Sequence, residues 1–238
     1  MDPTHTSSLA ALLFEQAVPV MILLDLAAVG FTAWVVRRGG GSARVVTGAV
    51  LALCAWLAVL HGIIATRSLI PADISGLAFL GVIFAGVGVF GLGIFATPVG
   101  RTLMNLRQED LMLAQGVRVF FGAGFLLQAA IGLLPETFGI IDGFSHVTAG
   151  FLGLIAAVIA ARDPNATRMV LCANAFGLID ILVVASSIAL ILLPEMTPYH
   201  PMMYAVFLPA PIWLWLHVVS LAKLAAARRG PEAIQPAA

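Results

Sequence analysis

Charge is scarce in this 238-residue chain: only 10% of its residues are Asp, Glu, Lys or Arg, where soluble domains carry roughly 25%. A chain of this size with so few charges cannot cover its core in water, so lipid must solvate most of its surface. Lysine is nearly missing, with Lys223 the only one among 12 basic residues, and 12 acidic residues balance them. No basic patch is available to hold a row of phosphates, which argues against a nucleic-acid partner. Cysteine is equally sparse. Cys54 and Cys172 fall in apolar stretches and read as small buried hydrophobes, neither a disulfide nor a metal pair. The segment Met1 to Gln16 has no Lys or Arg and so lacks the basic start of a secretory signal; the first apolar segment is expected to stay in the mature protein. Long polar loops are missing too, so any chemistry belongs to the apolar segments or their mouths.

Hydrophobic residues make up 61% of the chain, and its mean hydropathy is +1.05. Seven apolar stretches, at about 18–36, 45–66, 74–96, 112–134, 143–161, 169–193 and 202–223, each reach the roughly 20 helical residues that span a bilayer. They are expected to be helices, because lipid offers the backbone no hydrogen-bond partner. The fold class is therefore an all-α, polytopic transmembrane bundle of about seven helices. A short outer segment (1–17) precedes it and a disordered tail (224–238) follows.

Arginine placement orients the bundle. Arg37, Arg38 and Arg44 follow the first stretch, Arg101 and Arg107 the third, Arg162 and Arg168 the fifth, and Lys223, Arg228 and Arg229 the seventh. Only Arg67 lies on the opposite side. The N-terminus is expected outside and the C-terminus in the cytoplasm, as a multi-pass protein of a bacterial inner membrane. Within the stretches, Gly86-Val87-Gly88-Val89-Phe90-Gly91 has the glycine spacing of a dinucleotide loop, but no strand precedes it. It reads instead as close helix packing, with Gly81, Ala85 and Gly88 on one face and helix three hemmed in by neighbours. Pro209 and Pro211 predict a kink in helix seven, where the carbonyls of Ala205 and Phe207 lose their helical donors.

Polar residues inside the spans carry the functional signal, because a buried charge there costs about 2.5–3.5 kcal/mol on insertion scales. At about 1.5 Å of rise per residue, Gln115, Arg118, Asn174 and His217 come out in the inner third, with Asp180 near the midplane. Guanidinium stays protonated. An Arg118–Asp180 pair is therefore expected, flanked by Gln115, Asn174 and His217, as a site for a small ligand, an ion or a proton. The alternative is that Arg118 snorkels to the cytoplasmic surface and Asp180 is neutral. Asp25, His61 and His146 fall in the outer third on three different helices. Two imidazoles and a carboxylate would suit a transition metal, and two imidazoles a haem, should the three side chains meet. Lys223 lies at the end of helix seven rather than mid-way, which disfavours a retinal Schiff base.

From Gln115 onward a series of short elements recurs in order: Gln115-Gly-Val-Arg118, Leu134-Pro135, Gly143-Phe-Ser-His146 with Gly150, Asn174-Ala-Phe-Gly177-Leu-Ile-Asp180, and His217-Val-Val-Ser220-Leu221. In these the chain resembles an uncharacterised family of bacterial multi-pass integral membrane proteins. Relatives often carry Asp where this chain has His146, a departure that changes local charge. The resemblance implies the polar set Gln115, Arg118, Asn174, Asp180 and His217 and no activity.

Three functions fit these features. The first is a transporter- or receptor-like bundle with a buried polar site in helices four to seven. The second is a metal- or haem-dependent membrane enzyme using Asp25, His61 and His146. The third is an accessory subunit of a membrane complex, or a homo-oligomer, packed through glycine-rich helix three.

Overall fold

The computed structural model describes residues 3–163, 165, 167–194 and 196–228, with side chains over 15–227 of these. Within these residues the fold is all-helical: α1 (Pro3–Arg38), α2 (Ala43–Thr66), α3 (Gly76–Phe95), α4 (Pro98–Asn105), α5 (Gln108–Gln115), α6 (Arg118–Ala130), α7 (Glu136–Arg162), α8 (Thr167–Ser187), α9 (Met203–Phe207) and α10 (Pro209–Arg228). A π-helical turn, Ile188–Leu192, continues α8. Seven of the resulting rods are long and apolar enough to cross a membrane, since α5 and α6 form one span and α9 and α10 another. Large apolar side chains such as Leu77 (75% exposed) and Leu92 (71%) point outward, a surface that only lipid would accept. Of the tail expected over 224–238, residues 224–228 instead continue α10, and the rest lies outside the described residues. At the other end α1 extends beyond its apolar stretch, back to Pro3.

Local chemistry accounts for most boundaries. Ser42, Ser75 and Thr97 cap α2, α3 and α4, each accepting a hydrogen bond from a backbone N–H in the first turn. Pro98 starts α4, where its missing N–H costs nothing. The predicted break in the last span falls at Leu208 (φ −125°, ψ −69°), between α9 and α10. Pro211 deprives the Phe207 carbonyl of its helical donor, and the Trp56 indole N–H replaces it at 2.7 Å. A neighbouring helix thus meets the need that lipid could not.

Contacts at the two ends place the loops. At one end Arg38 pairs with Asp110 at 3.0 Å and joins α1 to α5; Lys223 of α10 donates to the Met104 carbonyl of α4. At the other end the Tyr199 hydroxyl donates to the Ile70 carbonyl. There too, His200 Nε2 lies 2.9 Å from the Leu133 carbonyl, and its Nδ1 accepts from the Met202 N–H at 3.1 Å.

The tightest packing is between α6 and α7, not around α3. Gly139, Gly143, Gly150 and Gly153 line one stripe of α7. A methyl on Gly122 of α6 would sit 2.6 Å from the Gly143 carbonyl oxygen, and one on Gly150 would sit 2.8 Å from the Val119 nitrogen. On α3, by contrast, Gly81, Gly88 and Gly93 have open space around them; Gly86 and Gly91 meet the Phe207 and Trp215 side chains, and Gly76 at the helix start meets the Ala189 carbonyl. The expectation that the Gly81–Ala85–Gly88 face is hemmed in is therefore corrected: that face is exposed. Small residues permit close approach but do not say which helix will approach.

Two outcomes follow. Gly122→Ala should destabilise the bundle by about 1–3 kcal/mol through overpacking, whereas Gly81→Ala should leave it unchanged, as read by thermal unfolding in detergent. Burial holds the His200 imidazole below the usual histidine range, against the opposing pull of its bond to Leu133. The unfolded chain therefore takes up this proton first. Stability should be complete above about pH 6.5 and fall as pH drops toward the lower folded value. His200→Gln should remove that component from a pH series of melting curves.

Candidate functional site

Arg118 opens α6 immediately after a tightened turn at Gly116-Val117, which separates α5 from α6. Its side chain is fully buried, at 0% exposure. The guanidinium does not snorkel; it turns inward and pairs directly with Asp180 Oδ2 of α8. One Nη donates to the Gly177 carbonyl at 3.1 Å and lies 3.4 Å from His217 Nε2. Its flat face lies over Trp213, with Cζ 5.7 Å from the ring centroid, a further source of attraction for a desolvated cation.

Gly177 makes this arrangement possible. A methyl there would fall 2.4 Å from the His217 ring and 3.0 Å from Arg118 Nη1. Only a residue without Cβ lets α8, α10 and Arg118 converge.

On one side of Arg118 runs a neutral, well-satisfied chain. His217 Nδ1 lies 2.9 Å from Asn174 Oδ1. Asn174 Nδ2 donates to Ser220 Oγ and to the Val170 carbonyl, both at 2.8 Å. Ser220 Oγ donates to Gln108 Oε1 at 2.7 Å, and Gln108 returns a bond to the Ser220 carbonyl at 2.9 Å. Gln115 is buried nearby, its amide 3.5 Å from the Trp213 carbonyl. All five residues named from sequence are thus near one another: Arg118, Asp180 and His217 in direct contact, Asn174 through His217, and Gln115 beside Trp213.

On the other side lies a charged cluster that sequence reasoning only half identified. His146 of α7 does not join Asp25 and His61. Its Nδ1 lies 3.0 Å from Asp142 Oδ1 and 3.0 Å from Asp180 Oδ2, and its ring meets Phe125 edge-on at 5.4 Å. Instead of the alternative grouping of Asp25, His61 and His146, the described residues bring together Asp142, His146 and Asp180, whose ligating atoms all lie within 4.8 Å of one another. The physical reason is helix geometry. Asp142 and His146 are four residues apart on one face of α7, and the α7 glycine stripe brings that face deep into the bundle. Asp142 went unrecognised because α7 begins at Glu136, earlier than its apolar run suggests. The D-x-x-x-H spacing was the available signal.

His61 instead contacts the Tyr204 hydroxyl through Nδ1 at 2.6 Å. Asp25 is fully buried on α1, and neither of its oxygens has a hydrogen-bond partner among the described residues.

Polar satisfaction divides the network into two parts. The inner chain from His217 to Gln108 is bonded throughout, although Gln115 Oε1 and Arg118 Nε beside it have no hydrogen-bond partner. In the outer cluster both oxygens of Asp142, Oδ1 of Asp180 and Nδ1 of His146 lack a hydrogen bond of good geometry despite the short separations. These residues are 2%, 5% and 5% exposed. Groups so buried and so poorly matched to one another are costly as structure alone.

Breaking the central pair would expose that cost. Arg118→Met should destabilise the protein by about 3–5 kcal/mol, because it strands two buried carboxylates. Adding Asp180→Leu should recover part of the loss; denaturation of the single and double variants measures this coupling.

Comparison with known proteins places this site in a recognised family. No curated protein and no solved structure matches the chain. Residues 77–225 match a family described as a domain of unknown function, DUF8737. That stretch contains Arg118, Asp142, His146, Asn174, Asp180 and His217, and leaves out Asp25 and His61. With well over half of its length matched, the chain belongs to the DUF8737 family.

Proposed function

We propose that this protein is a membrane-embedded cation-binding protein, transporter- or receptor-like, whose working part is the cluster of Asp142, His146 and Asp180 beside Arg118. In this reading it sits in a bacterial inner membrane with its N-terminus outside and its arginine-bearing loops in the cytoplasm, the orientation favoured by the positive-inside pattern.

The observation that carries the reading is a charge imbalance in a buried place. Asp142 and Asp180 bring two carboxylates and Arg118 one fixed positive charge, all nearly sealed from solvent, and His146, 3.0 Å from both carboxylates, supplies a second positive charge only when it holds a proton. The unbonded carboxylate oxygens are acceptors only. What satisfies them must be a donor or a cation, and one added positive charge, a proton on His146 or a monovalent cation in its place, makes the cluster neutral. Replacing such a cluster with apolar residues would generally cost no stability. Ionisable groups at this depth mark ion or substrate sites.

The neutral chain from His217 to Gln108 has a different part. Asn174 holds the His217 ring, which in turn abuts Arg118. The chain fixes the guanidinium rather than relaying charge, since an amide and an arginine do not readily pass protons on. The cation site therefore communicates with the side of the cluster away from Gln108.

The test uses purified protein in detergent. Thermal unfolding is followed with Na⁺, K⁺, Mg²⁺, Mn²⁺ or Zn²⁺ present, and proton binding is followed by potentiometric titration. Wild type should be stabilised by at least one of these metal ions, or should bind one more proton than Asp142→Asn. A ligand at 100 times its Kd stabilises by about 2.7 kcal/mol. If no cation, proton included, distinguishes wild type from Asp142→Asn and Asp180→Asn, the reading fails.

A further inference from the structure

Resting on the cation-site reading above, we infer that Asp142, His146 and Asp180 form a three-ligand site for a divalent transition-metal ion, carried as cargo or signal. The group contains three potential ligand atoms within 4.8 Å of one another. Two come from one helix at i, i+4, the spacing by which a single helix offers two ligands to one ion. The third comes from α8 and closes the set. His146 Nδ1 lies 3.0 Å from an oxygen of each carboxylate. Ligands at 2.0–2.2 Å from a tetrahedral ion sit about 3.4 Å apart, so the two His146 contacts would open by a few tenths of an ångström to admit one. Asp142 supplies the independent sign of a ligand: it is 2% exposed, beside His146 Nδ1, with neither oxygen hydrogen-bonded.

The donor set selects the class of ion. Two carboxylate oxygens and one imidazole nitrogen suit Zn²⁺, Mn²⁺, Fe²⁺ or Co²⁺. Cu⁺ prefers sulfur ligands, and Ca²⁺ needs six to eight oxygens. Arg118 holds Asp180 by Oδ2, the same oxygen that lies 3.0 Å from His146, while Oδ1 is unbonded; the ion takes Oδ1 or shares Oδ2 with the guanidinium, which orients this ligand as an outer partner does in known metal sites.

Two features make the ion exchangeable. Three protein ligands leave a coordination position open, unlike a closed structural site. His146 also lines a crevice of about 40 Å³ between α3, α8 and α10, walled by Ile83, Val87, Ile181 and Leu214, which leaves one side of the ligand residue unpacked. Arg118 adds the second feature. With a divalent ion and neutral His146, the cluster carries one net positive charge, so the guanidinium weakens binding and favours release.

Co²⁺ provides the decisive probe, because its visible absorption reports nitrogen and oxygen ligation. Purified full-length protein should bind one Co²⁺ with visible bands, and Zn²⁺ should displace it. Asp142→Asn and His146→Gln keep side-chain shape and should each weaken Co²⁺ binding by at least about tenfold, while His200→Gln should not. Size-exclusion and circular dichroism confirm that each variant is folded; should Asp142→Asn fail to fold, His146→Gln decides alone. The inference is overturned if no Co²⁺, Zn²⁺ or Mn²⁺ binds, or if binding survives in both cluster variants. Binding of a proton or Na⁺ alone, lost in Asp142→Asn, overturns the metal assignment and leaves the broader cation reading standing. Loss of all cation effects overturns both.

Discussion

A guanidinium held in the interior of a lipid-facing bundle sets the terms for half of this molecule. Arg118 keeps its charge at any working pH, and at 0% exposure it has no water to satisfy it. Protein groups must do so instead. Asp180 supplies the counter-charge, the Gly177 carbonyl and His217 supply acceptors, and Trp213 supplies a π face. Each of these imposes a further condition. His217 needs Asn174 to hold its ring, Asn174 needs Ser220, and Gly177 must lack a side chain for any of them to meet. The elements α5, α6, α8 and α10 are arranged as they are because one charge demands it.

Helix α7 answers a second demand. Its glycine stripe permits backbone contact with α6, and His146 is a large residue lying within that stripe. Asp142 and His146 are thereby pressed against Asp180 from the other side. The carboxylate of Asp180 is shared between a cation fixed in place and a cluster whose remaining polar atoms are unsatisfied. A bonded scaffold on one side and an under-bonded cluster on the other is the asymmetry expected of a site that is supported by one part of the protein and filled at another. The looser helices α1 to α3 have more of their apolar surface turned outward, and the family match starts only within α3.

Much of the architecture was legible because hydrocarbon is an unforgiving solvent. Seven long apolar runs read as spanning helices, and the described residues include seven helices long and apolar enough to cross a membrane; Pro209 and Pro211 interrupt one, and the break at Leu208 and the Trp56 bond to Phe207 follow from the same rule. The Arg118–Asp180 pair was legible for a similar reason, as two residues at comparable depth with no cheaper partners. Helix rotation was not legible. Depth alone groups His146 with Asp25 and His61, and depth says nothing about which way a side chain faces. Asp142 was overlooked because hydropathy marks where lipid begins, and a helix can begin a turn or more earlier.

From the sequence alone came the solvent, the number of crossings, the kink and the need for one buried ion pair, since each is a matter of transfer free energy along a single chain. The choice of neighbours was settled only in three dimensions. The α6–α7 contact, the exposure of the Gly81 face and the meeting of Asp142, His146 and Asp180 depend on rotation about helix axes. That rotation is fixed by packing between helices distant in sequence, to which no local pattern of residues corresponds.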